Sequence, residues 1–126
     1  HVVCRRQRQM CIRDRSMGGR VASLIADEAE VDRLVCLGYP FHPLGKPDQL
    51  RVDHLRTLKT PCLILQGERD PMGNCEEVLS YSLSEKIEIQ WMTDGDHSFK
   101  PRKASGWTVE QNWLEAAKHV GRFLLS

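Results

Sequence analysis

Thr60 to Pro71 reads TPCLILQGERDP, and this stretch decides the fold. Leu63, Ile64 and Leu65 form a short apolar run with no polar residue among them. A strand with one wet face would alternate; a continuous run belongs to a strand buried on both faces, as in a parallel sheet covered by helices. Gly67 and Pro71 bracket the loop at its carboxyl end, and Asp70 stands in that loop.

The same pattern recurs on either side. Upstream, RLVCLGYP (residues 33–40) is a second nearly continuous apolar run, ended by proline. Downstream, IEIQWMTDGDH (residues 87–97) alternates Ile87, Ile89 and Trp91 with Glu88 and Gln90, which predicts a strand at the sheet edge. Helices fill the intervals. SMGGRVASLIADEAE (residues 16–30) puts Val21, Leu24 and Ile25 on one face, with Gly18, Gly19 and Ala22 where a helix approaches a sheet closely. Asn74 with Glu77 makes a capping box for a helix through about Leu83. Thr108 with Gln111 makes another, opening a long terminal helix with Val109, Trp113, Ala116, Ala117, Val120 and Leu124 along one face. The alternation predicts an α/β fold of three parallel strands flanked by helices, joined by right-handed crossovers. Between the first two strands, Pro40, Pro43 and Pro47 break the chain before Leu50, Leu55 and Leu58 suggest a short helix, and Phe41, Leu44 and Leu50 suggest an apolar wall.

Residues 1–15, HVVCRRQRQMCIRDR, stand apart. They show neither helical nor strand periodicity and hold five arginines against one aspartate, whereas the whole chain carries only +1. The run RRQRQMCIRDR resembles translated adapter read-through, so this segment is expected to be non-native or a disordered basic arm, with the partial domain occupying 16–126. A native arm would point to nucleic acid or acidic lipid, but no aromatic residues interleave the arginines for base stacking, and no nucleic-acid partner is expected. The five cysteines form no C-x-x-C pair and read as reduced thiols. No apolar run approaches the roughly 18 residues that cross a bilayer, so no membrane span is expected and a cytoplasmic location is the default. Oligomeric state is open.

Ligands of parallel sheets bind outside the carboxyl ends of the strands. Three residues hold such places: Ser16 opening the first helix, Asp70 after LILQG, and His97 after the last strand. A serine hydroxyl needs an imidazole to take its proton, and the imidazole needs a carboxylate to fix its tautomer. Ser16, His97 and Asp70 would fill those roles. Each also has an ordinary reading: Ser16 as a helix N-cap, Asp70 as a turn former with Glu68 and Asp94 competing as the acid, and His97 as a loop histidine. His42, His54 and His119 lack the strand-end setting. Asp94 and Asp96 around Gly95 read as turn formers, and no metal or other cofactor is called for.

With its serine, acid and histidine in that chain order, the sequence resembles the α/β-hydrolase family, whose nucleophile lies on a tight turn between strand and helix. SMGGRVAS, GYPFHPLGKP, LQGERDPMG and DGDHSF are most similar to the dienelactone-hydrolase-like branch, which includes the group related to testis-expressed protein 30 and a chromatin-complex subunit. The resemblance runs from Ser16 to Ser126 and implies the C-terminal half of such a domain. It implies that Met17 supplies one oxyanion-hole N–H, with the second donor coming from an earlier loop. Of the family's G-x-S-x-G, the residues here read Asp14, Arg15, Ser16, Met17, Gly18, so the first glycine is replaced, within the adapter-like segment. The implied activity is hydrolysis of a small-molecule ester, thioester or related acyl substrate through an acyl-enzyme; the competing class is an inactive hydrolase-fold interaction module or complex subunit. The chain alone is expected to be a poor catalyst and poorly stable, with LVCLGY lacking a strand partner on one side.

Overall fold

The computed structural model of the chain describes residues 2–6, 9–15 and 17–125, with side chains from Arg20 onward. Five strands form one sheet in chain order: β1 (Val2–Arg6), β2 (Gln9–Arg15), β3 (Arg33–Leu37), β4 (Cys62–Gly67) and β5 (Ile87–Met92). β2 to β5 run parallel, and β1 pairs antiparallel with β2. Helices α1 (Met17–Ile25), α2 (Cys75–Leu79) and α3 (Val109–Leu125) fill the connections, with single 3₁₀ turns at Asp53–Arg56 and Lys103–Ser105. The three expected strands are present and parallel, and β5 takes the edge that its alternation predicts.

Two further strands come from the amino-terminal segment, where the side chains show no strand period. Sheet pairing runs through backbone N–H and C=O groups that nearly every residue carries, so a strand can pair without alternation. In consequence β3 is not left without a neighbour, as the sequence suggested: Ile12 stands opposite Leu34 and Arg15 opposite Leu37.

Every residue of β4 is buried. Successive side chains face opposite ways, so Ile64 joins Leu34 and Cys36 in one core with Ala22 of α1, Ala26 just past it and Leu55 of the first 3₁₀ turn. Leu63 and Leu65 join Val35 in a second core with Met92, Phe99 and Ala116 and Val120 of α3. Cys36 and Cys62 are buried thiols outside any disulfide, and Cys75 is a partly buried one.

The helices depart from the sequence reading in three places. α1 turns Ala22, Ser23 and Ala26 inward and leaves Val21, Leu24 and Ile25 about half exposed. Small side chains let the helix lie close to the sheet, and the Ser23 hydroxyl is satisfied there by donating to Arg20 O at 2.7 Å. α2 keeps the Asn74–Glu77 capping box but ends at Leu79, not near Leu83. Ser80 bonds the Glu77 carbonyl with both its N–H and its hydroxyl, which closes the last turn. α3 keeps the Thr108–Gln111 box, but Asn112, Ala116 and Val120 face inward while Trp113 and Ala117 face out. The suggested apolar wall is also not formed: Phe41 is buried between Tyr39 and Tyr81, while Leu44 and Leu50 are exposed.

Candidate active site

Because β2 to β5 are parallel, their carboxyl ends lie along one edge of the sheet. Asp70 follows β4 there in a tight turn. Its backbone N–H donates to Gly67 O, and its Oδ1 accepts from Met72 N at 2.8 Å. Asp70 thus fills the turn with one oxygen and leaves the other for a second partner. Its other oxygen, Oδ2, lies 2.7 Å from His97 Nδ1 and accepts from Gln66 Nε2 at 3.1 Å. The Asp70 side chain is wholly buried, whereas that of His97 is 26% exposed.

The loop that presents His97 is held from three sides. Asp94 and Phe99 flank it with left-handed backbone, φ 51° and 69°, uncommon for residues with a Cβ. Asn112, buried on α3, donates from Nδ2 to Thr93 O at 2.9 Å and Phe99 O at 2.8 Å. Gly67 at the end of β4 leaves room for the carbonyls of Gly95 and Asp96, which occupy the space a side chain would need. Gly38, just past β3, has φ +71°, and a Cβ there would come 2.9 Å from His97 O and 3.3 Å from its Cε1. The imidazole thus rests over the end of β3.

Ser16 lies outside the described residues. Its chain neighbours are the last residue of β2 and the first of α1, and β2 ends beside Leu37, next to Gly38. Met17 opens α1, so its N–H is among the first four of the helix, which have no intrahelical acceptor.

The competing groups are engaged elsewhere. Asp94 is gripped by Arg102, with Nη2 2.6 Å from Oδ1 and the backbone N–H 2.8 Å from Oδ2, and lies beside Arg69. These hydrogen bonds hold its carboxyl down at about 2. Glu68 accepts from Asp94 N at 2.7 Å. His42 is buried against Pro43 O and the Glu77 carboxylate, His54 lies against the Ser23 and Tyr39 hydroxyls, and His119 meets Arg122.

A family model described as an alpha/beta hydrolase domain matches residues 1–125. The chain belongs to the alpha/beta hydrolase family. Its fold is similar to that of an alpha-beta serine hydrolase homologue from Coxiella burnetii, with TM-score 0.59 and 22% identity over 82% of this chain and 46% of that one. It is also similar to the esterase domain of a Rhodothermus marinus protein, with TM-score 0.53 and 19% identity over 69% of this chain and 50% of that one. A Pyrococcus furiosus esterase matches with TM-score 0.63 and 17% identity over 90% of this chain and 51% of that one. The chain spans about half the length of these structures.

Two polar residues of the candidate site in this alpha/beta hydrolase domain escape a reading by motif. Gln66 is wholly buried and bonds Asp70, and Asn112 is the buried amide that anchors the histidine loop. The available signals were an amide ending the run LIL and an amide one helical turn before Ala116 on an otherwise apolar stripe.

Proposed function

We propose that this alpha/beta hydrolase is a serine hydrolase that cleaves an ester or related acyl substrate through an acyl-enzyme on Ser16. The observation that carries the reading is the 2.7 Å contact between His97 Nδ1 and the buried Asp70 carboxylate. With Nδ1–H donated to Asp70, the imidazole presents Nε2 as the basic nitrogen. Nε2 takes the Ser16 hydroxyl proton as Oγ attacks the substrate carbonyl, and the oxyanion is met by the Met17 N–H at the start of α1. Collapse expels the alcohol, which leaves with the proton from His97. Water then repeats the sequence and releases the acid. The runs SMGGRVAS and LQGERDPMG support placing the enzyme near the dienelactone-hydrolase-like branch.

Asp14, where the family pattern has its first glycine, favours a second reading, an inactive interaction module. Turnover of p-nitrophenyl acetate by a chain extended to the length of its structural relatives separates the two. The enzyme reading expects His97→Ala to abolish turnover and Asp70→Asn to cut it by about ten-thousand-fold, as for an acid that fixes the histidine tautomer. His119→Ala should keep the parent rate. Absence of turnover both with Asp14 and after Asp14→Gly supports the interaction module instead.

A further inference from the structure

Gln66, the last residue but one of β4, has no exposed surface, and every polar atom of its side chain is used. Oε1 accepts from Tyr39 N at 2.8 Å, which fixes which end of the carboxamide is nitrogen. Nε2 then faces three acceptors: Tyr39 O at 3.0 Å, Gly73 O at 3.0 Å and Asp70 Oδ2 at 3.1 Å. An amide nitrogen has two hydrogens to share among them. Tyr39 follows Gly38, the floor on which the His97 ring rests, while Gly73 closes the turn that carries Asp70. One carboxamide therefore ties the floor beneath the imidazole to the loop of the acid, and it donates to the same carboxylate oxygen as His97.

We propose that Gln66 is a positioning residue of the triad, acting on His97 through Asp70; the proposal rests on the serine-hydrolase reading above. Met72 N on Oδ1 and Gln66 Nε2 on Oδ2 stop rotation of the carboxylate and aim the remaining direction of Oδ2 at Nδ1. With one donor on each oxygen, the carboxylate is left to accept from the imidazole N–H in a single direction. Glutamate is nearly isosteric with glutamine yet wrong here. It would set a second carboxylate against Asp70 and against two carbonyls; once ionised it offers no donor to Oδ2, and like charge pushes Asp70 off its line to Nδ1.

The test compares Gln66→Glu and Gln66→Met in a chain extended to the length of the structural relatives, reading the rate of fluorophosphonate labelling at Ser16 against pH. Both variants should label about 10- to 100-fold more slowly, the range seen when outer partners of a site histidine are removed. For Gln66→Glu the deficit should widen as pH rises and the added carboxylate ionises; for Gln66→Met it should stay level. A structural role alone would give deficits that follow thermal stability and do not depend on pH, and that result, or wild-type labelling by both variants, overturns the proposal. His97→Ala and Asp70→Asn, run alongside, keep it separate from its foundation. If they label normally, the triad reading has failed; if they are dead while both Gln66 variants are normal, only the role of Gln66 has. Should both variants fail to fold, NMR on the unsubstituted chain decides. The Gln66 carboxamide protons should shift with the same midpoint as the His97 ring, and carboxamide protons that stay still while the ring titrates contradict the coupling.

Discussion

Asp94 and His54 show how two single residues tie the stability of this alpha/beta hydrolase domain to pH. Arg102 hydrogen bonds hold the Asp94 carboxyl at about 2, below its ordinary 3.8, so its contribution is present above 3.8 and lost as pH falls through about 2. In urea unfolding, the deficit of Asp94→Asn relative to the parent should be full at pH 5 and vanish near pH 2; a deficit independent of pH would contradict the pairing. His54 is the converse case. Burial, and then the nearby Arg20 charge, push its imidazole below the ordinary 6.5. The unfolded chain then takes up a proton that the folded chain refuses, and stability declines as pH drops below 6.5. His54→Gln should flatten that decline between pH 7 and 5. The strand-end places of Asp70 and His97 were legible in the sequence because each follows a recognisable strand, β4 and β5. Gln66 and Asn112 were not, because their partners are backbone carbonyls distant in the chain, such as Tyr39 O and Thr93 O, to which the sequence gives no pointer.

Among the elements, α1 carries the plainest lesson about periodicity. Val21, Leu24 and Ile25 do share a helical face, but the period says only which residues lie together, not which face meets the sheet. Ala22 and Ala26 take the inner side because a close approach to the sheet needs small side chains, and Asp27 holds that approach from the end of the helix. Its carboxylate accepts from Lys59 N, Thr60 N and the Thr60 hydroxyl, the last at 2.6 Å, which binds the exit of α1 to the entry of β4. Ala26→Leu should therefore cost about 1–3 kcal/mol by overpacking, while Leu24→Ser on the exposed face should stay within about 0.5 kcal/mol. Equal losses in urea would place the wrong face inward. In β4, Ile64→Ala removes a fully buried side chain and should cost about 2–5 kcal/mol.

At the scale of the whole molecule, the parallel run from β2 to β5 brings to one edge three places that are far apart in sequence: the β2–α1 junction at position 16, the turn of Asp70 and the loop of His97. Strand order and direction were legible for β3 to β5 because each is apolar and separated from the next by a helical stretch. The addition of β1 and β2 was not, since backbone pairing leaves no mark on an arginine-rich segment. We propose that this edge activates Ser16 through His97. The most direct test is to treat a chain extended to the length of its structural relatives with a fluorophosphonate and to locate the adduct by peptide mass spectrometry. A single adduct on Ser16, absent after His97→Ala, is expected; an adduct on another residue, or labelling that survives Ser16→Ala, would contradict this role of Ser16.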